Sequence, residues 1–290
     1  KYFNWNRMYD IKYDITRTLK LDFNVTHRAN IDEPAGRLLK SDPLYREKMD
    51  TIWANFRNFG RPTSYRQVLG INYQAPLNKI PILNFLSLNT RYNATYDWIS
   101  APVALRNLGN NIQNSRNRQY NGQINLTTLY NKVPYFKKIN QVSRKFRPRN
   151  ASKNENNFEN KKDANSNYDI LKYLTRFILA VKNVSVNYSI NESTFIPGYK
   201  FQPHFLGIKW DEMAPTVPFV FGSQNDIRMR AASNGWLTVD STLNTMYNQN
   251  TSMNLTVRST LEPIKQFRIE LTSNKTTSNN LSEYFRWNSQ

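Results

Sequence analysis

Cysteine is absent from the 290 residues, so neither a disulfide framework nor a thiolate metal site can hold this chain together. Histidine is almost absent. His27 and His204 lie far apart in sequence and read as loop or rim side chains, because a zinc site without cysteine would need carboxylates as well. No run of about 18 apolar residues occurs, which excludes a membrane-spanning helix. It does not exclude a membrane. A spanning strand needs only about 10 residues with every second one apolar, and such a chain keeps a low mean hydropathy, here −0.70. There is no Walker loop, GxGxxG, GxSxG or HExxH, so no enzyme activity is expected and no cofactor. Asp32 with Glu33, and Asp211 with Glu212, read as solvated loop pairs rather than as calcium ligands or an acid/base couple. No apolar leader follows Lys1, and the chain is expected to be a piece of a longer one.

Acidic residues are scarce, 21 against 40 basic ones, which gives a formal net charge of +19. That balance fits an anionic partner, either nucleic acid or an anionic surface. The densest basic run is Lys137 to Arg149, where Phe146 is the only aromatic. No base-stacking platform is formed, and no nucleic-acid partner is expected. Residues 137–167 read instead as a basic, disordered insert, followed at 168–181 by a short amphipathic helix.

What the chain has in quantity is asparagine, forty residues, with 17 Tyr and 16 Phe. This is a poor recipe for helix and a tolerable one for wet β-sheet. Triplets such as Asn93-Ala94-Thr95 follow from that composition and are not read as glycan acceptors.

Period-two alternation recurs through most of the sequence. Tyr9, Ile11, Tyr13 and Ile15 alternate with Asp10, Lys12 and Asp14. Leu19, Leu21, Phe23 and Val25 alternate with Lys20, Asp22 and Asn24. Leu69, Ile71, Tyr73 and Leu77 oppose Arg66, Asn72 and Gln74, while Leu88, Tyr92, Tyr96 and Trp98 oppose Asn89, Arg91 and Asn93. Ile124, Leu126 and Tyr130 oppose Asn121, Gln123 and Asn125. Val186 and Tyr188 oppose Asn183 and Asn187. Leu255 and Val257 oppose Arg258, and Ile269 and Leu271 oppose Arg268 and Glu270. No charge falls on the apolar phase within these runs. About eight strands result, each long enough to cross a bilayer when tilted.

Short connections (16–18, 78–82, 262–265) alternate with long ones (29–61, 102–118, 196–248), and 132–172 is a long exception among the short set. The echo of Asn78-Lys79-Ile80-Pro81 in Asn131-Lys132-Val133-Pro134 marks a repeated turn device, since proline stops a ladder. The fold expected is all-β. It is an antiparallel transmembrane β-barrel wall, about eight strands of a larger barrel in one domain over 1–290, with short periplasmic turns and long extracellular loops. The Asn-rich phase would line a water-filled lumen, and the apolar phase, with Tyr96, Trp98 and Tyr130 as an aromatic girdle, would face lipid and lipopolysaccharide. The alternative is a soluble basic β-sandwich that binds nucleic acid or an anionic glycan.

Particular stretches carry a resemblance. Trp5-Asn6-Arg7-Met8-Tyr9-Asp10 leads into Tyr13-Asp14-Ile15-Thr16 and then Ala29-Asn30-Ile31-Asp32-Glu33-Pro34. Asp50-Thr51-Ile52-Trp53 precedes Asn58-Phe59-Gly60-Arg61, Pro76-Leu77-Asn78-Lys79 and Tyr92-Asn93-Ala94-Thr95-Tyr96-Asp97-Trp98. Phe195-Ile196-Pro197-Gly198-Tyr199 and Pro218-Phe219-Val220-Phe221-Gly222-Ser223-Gln224 follow. In order and spacing the chain resembles the SprA/Sov family of outer-membrane translocon proteins from Bacteroidota, most weakly at 150–167.

That resemblance implies an outer-membrane, protein-conducting barrel that passes folded cargo in type IX secretion and, in some members, delivers gliding-motility adhesins. It implies a far larger barrel, whose remainder would pair with this segment. The partners implied are a small barrel protein beside a lateral opening, a periplasmic plug, an inner-membrane motor and secreted cargo. No catalytic residue is carried over. The family's chains are several times longer, and residues 284–290 do not resemble a closing strand.

Overall fold

The computed structural model of the chain describes residues 2–34, 36, 40–137, 178–264 and 266–286. Eight antiparallel strands form one sheet in chain order. They are β1 (Tyr2–Asp14), β2 (Leu19–Asp32), β3 (Arg61–Ala75), β4 (Leu86–Ile99), β5 (Asn110–Asn125), β6 (Val181–Tyr199), β7 (Tyr247–Ile264) and β8 (Phe267–Glu283). The sheet is not closed. Among the described residues, β1 and β8 each keep one edge without a partner. No helix among these residues is long and apolar enough to cross a membrane.

Both rims of the sheet slant. The first hairpin ends on the pair Asp14↔Lys20, and Lys20 is level with Asn72 and Arg91. The next ends three residues further along, on Ala75↔Leu88. Leu88 is level with Gly122, and the β5–β6 ladder ends three residues beyond, on Asn125↔Asn183. Asn183 is level with Thr260, and the last hairpin closes four residues on, at Ile264↔Phe267, across an irregularity. Each step crosses two strands, about 9.6 Å, and climbs about 10 Å or more, so the strands lean by about 45° from the normal to the rim. The loop rim slants in the same sense. Ser64↔Ile99 lies three residues below Asn30↔Arg61 in β3, and β4 goes no further.

Between β2 and β3 the chain forms helix α1 (Tyr45–Arg57). Its C-cap is Asn58, and the chain turns back into β3 through Gly60, whose φ of +75° and approach to the Asn30 carbonyl leave no room for a Cβ. After β5 comes the short helix α2 (Leu126–Lys132), where Asn125 Oδ1 accepts from the Thr128 N–H at 3.1 Å. That cap stops the strand, so Leu126 and Tyr130 are helical and not strand residues as their alternation suggests.

Other boundaries also move. β1 begins at Tyr2 rather than near Tyr9, because Arg7 and Met8 invert the local alternation. β5 begins at Asn110, so most of the loop expected at 102–118 is strand. β8 continues far past Leu271, to Glu283. The long stretch expected at 196–248 is not a projecting loop: residues 200–246 fold back onto the sheet. Residues 138–177, with nearly all of the basic insert and most of the helix expected at 168–181, lie outside the described residues.

Candidate functional site: the two faces of the sheet

In an antiparallel ladder, directly opposed residues share a face, so the pairing sorts every strand residue. One face is mostly polar, with Met8, Val68 and Phe195 among its exceptions toward the loop rim. The row Asn72–Arg91–Gln119–Ser189–Asn254–Thr276 crosses six strands on it without an apolar side chain. All the polar candidates lie here: Lys12, Asp14, Asp22, Asn24, Arg66, Asn72, Gln74, Asn89, Arg91, Asn93, Asn121, Gln123, Asn125, Asn183, Asn187 and Arg258. The face is laced by local contacts. Arg91 Nε donates to Asn72 Oδ1 at 2.6 Å, Arg66 lies 3.7 Å from Asp97, Thr276 Oγ1 donates to Asn254 Oδ1 at 2.9 Å, and Asn117 bonds Asn191.

The opposite face collects the apolar candidates. Ile11, Phe23 and Leu69 share one row. Tyr13, Leu21, Ile71 and Tyr92 share the next. Tyr73 shares a row with Tyr188 and Leu255, and Leu88 with Val186, then Ile124, and finally Ile269 continue toward the turn rim. Leu126, being helical, is not part of it.

Toward the loop rim this face is covered by the chain itself. Residues 200–246 seat Ile208, Phe219, Val220 and Trp236 against Tyr96, Trp98, Ile112 and Ile196. Tyr96 is 0% and Trp98 1% exposed. Both were expected to face lipid, and this is corrected: they form a protein core, because the segment's apolar residues cover them. The joint is specific. Trp98 Nε1 donates to Phe201 O at 2.9 Å, and Tyr92 Oη to Phe221 O at 2.6 Å. Asn114, 0% exposed, donates through Nδ2 to Phe219 O at 2.9 Å and Ser223 O at 2.7 Å, and accepts from Gln224 Nε2 at 3.1 Å. Its burial is tolerable because its amide is engaged on both sides.

Asn114 also explains why β5 was missed. Outward positions of β5 and β6 carry Asn114, Arg116, Arg118 and Glu192, and both arginines reach Glu192 at 2.8–2.9 Å. The apolar phase is therefore not free of charge once the strands are followed to their full length. It also weakens in β8, where Ser273, Lys275 and Thr277 stand level with Val257, Leu255 and Met253.

Toward the turn rim the apolar face is bare. Tyr13 is 63% and Leu88 38% exposed, and Ile11, Tyr73, Tyr120, Met253 and Leu271 are exposed too. Between the covered and bare zones, near β1, the bend at 203–206 roofs an apolar groove lined by Ile11, Phe23, Val25, Tyr65 and Phe205, with Arg7 and His27 at one end. Among the described residues no group of three or more His, Cys, Asp or Glu could hold a metal ion. No family model matches the chain, and no curated protein matches it.

Proposed function

We propose that this sheet is a stretch of transmembrane β-barrel wall, with the polar face toward a water-filled lumen and the bare apolar band toward lipid. The observation that carries the reading is the pairing of a slanted, uncovered apolar band with a face behind it that is polar at the same level, from Asn72 and Arg91 across to Thr276. In a water-soluble sandwich the apolar face is the one a second layer must cover. Here residues 200–246 cover only its upper part. The lean of about 45° matches what closed membrane barrels require. At that lean the β3–β4 ladder of a dozen pairs rises about 26 Å and the longer β5–β6 ladder about 36 Å, enough to span one hydrocarbon thickness.

With the resemblance to the SprA/Sov family, the wall belongs to a protein-conducting outer-membrane channel exporting folded cargo in type IX secretion, connected in some members with gliding motility. Its role is passive, without catalytic residues. Asn, Ser and Thr wet the lumen and satisfy passing polar surfaces without strong charge pairing. The remaining barrel strands would pair with the edges of β1 and β8, while the small barrel partner, the plug and cargo would act beyond this segment.

Outer-membrane assembly of variants tests the face assignment. Leu88→Arg and Leu255→Arg place a guanidinium in hydrocarbon and are expected to destabilise the barrel by roughly 2–4 kcal/mol, whereas Asn93→Arg on the polar face is mild. Heat-modifiable mobility on gels reads folded barrel. Equal tolerance at all three positions would sink the reading.

A further inference from the structure

We infer that the α1 excursion, residues 44–60, is an anchor in the headgroup region of the outer leaflet, holding Trp53, Phe56 and Phe59 among anionic lipids. The inference rests on the membrane reading above and adds a site to it. Four observations carry it.

The first is the side of the sheet. Trp5 and Arg7 share the face of Tyr9 and Ile11 by strand alternation, so they belong to the apolar face. Phe56 meets Trp5 tilted and Phe59 meets it edge-on, at 4.6 and 5.8 Å between ring centroids, and the Arg7 guanidinium lies 4.6 Å from the centre of the Phe59 ring. The helix therefore sits on the side where the band below is bare.

The second is height. Trp5 lies nine residues from the turn-end residue Asp14 in the same strand. At the observed lean this is about 21 Å above the turn, close to the upper limit of an apolar band about 25 Å tall.

The third is composition. Aromatic rings with arginine and lysine at one level mark a membrane interface, where an amphipathic ring finds both hydrocarbon and water. Trp53, Phe56 and Phe59 are joined there by exposed Arg57 in the last turn of the helix, whose guanidinium can reach lipid phosphates, while exposed Arg46, Glu47 and Asp50 keep the first turns wet.

The fourth is incomplete cover. No residue of α1 is buried, and Trp53 is 54% exposed although its ring touches Phe56 at 5.8 Å between centroids. A helix docked only for packing would turn its tryptophan inward. This one holds it out, on the lipid side and level with the interface.

These 290 residues lack cysteine, so single-cysteine labelling reads the site in the full protein, with any cysteine outside them replaced, reconstituted into phosphatidylcholine–phosphatidylglycerol vesicles. An environment-sensitive nitrobenzoxadiazole probe goes at Ala54→Cys, which keeps all three aromatics. Control probes go at Leu88→Cys in the bare band and Asn93→Cys on the polar face. Nitroxide lipids labelled at a shallow or a deep acyl position serve as quenchers. Position 54 is expected to be quenched by the shallow nitroxide, position 88 by the deep one, and position 93 by neither. Adding Trp53→Ala with Phe56→Ala is expected to abolish the quenching at 54 while leaving that at 88. A probe at 54 that stays unquenched while 88 is quenched, whether water-exposed or covered by another protein surface, overturns the anchor and leaves the wall standing. Absence of quenching at both 54 and 88 overturns both.

Discussion

Gly222 lies where the folded-back segment comes nearest to the sheet. Its φ is +91°, and a Cβ there would stand 2.9 Å from both Ala94 Cβ and Tyr92 Oη. Neither neighbour can retreat, since one is strand and the other is fixed by its bond to Phe221 O. Gly222→Val is therefore expected to weaken docking of 200–246 by about 2–4 kcal/mol, from overpacking and left-handed backbone together. Hydrogen exchange checks it: faster exchange is expected in the segment, with little change in the ladders toward the turn rim.

A second residue-scale device responds to pH. Arg228 Nη2 reaches Asp226 Oδ2 at 2.7 Å and its guanidinium lies 4.1 Å from the centre of the Tyr247 ring; it also pairs with Glu283. The side-chain hydrogen bond from Arg228 holds the Asp226 carboxyl below the usual carboxylate range. A folded-state pKa below the unfolded value gives stability that is fully present above about pH 4 and is lost as pH falls through the lowered value. The turn at 226–228, which holds Arg228 against Tyr247 of β7, is therefore expected to loosen in acid, and Asp226→Asn to blunt the pH dependence of its protease resistance over that range. An unaltered acid response in Asp226→Asn would exclude this pair as its source. Because the Asp226 carboxylate is 46% exposed, solvent screening keeps the effect small.

At the scale of the element, legibility followed neighbours. Where both faces of a strand meet uniform surroundings, as in β2 and β3 toward the turn rim, alternation alone reveals the strand and sorts Leu21, Phe23, Leu69 and Ile71 from Asp22, Asn24 and Asn72. Where an outward position meets a specific partner, alternation fails. Asn114 looks like a loop residue until Phe219 O and Ser223 O are brought to it, and Arg116 and Arg118 do so until Glu192 stands opposite them. The stretch 200–246 carries its apolar residues with no period, since its short helices and bends present them one at a time, so nothing in the sequence revealed the surface it covers. Leu126 and Tyr130 depart from their alternation for the opposite reason. Asn125 fits the polar phase and is also a good N-cap, and the second role ended the strand.

At the scale of the whole sheet, one quantity separates the two architectures that these residues could serve. Rim positions advance by three, three and four residues per pair of strands, a lean of about 45° built into the pairing and independent of any side chain. A closed barrel in a bilayer fixes that lean relative to the membrane normal, because the turn rim must lie in one plane where water begins. A soluble sheet adsorbed on a membrane has no such constraint. Polarised infrared spectroscopy of the protein in oriented bilayers reads the angle from amide I dichroism. A mean strand tilt of about 45° is expected, together with slow hydrogen exchange in the ladders of the hydrocarbon zone. Random orientation, or strands lying flat in the membrane plane, would mean that the bare band of Tyr13, Tyr73 and Leu88 is covered by something other than lipid tails.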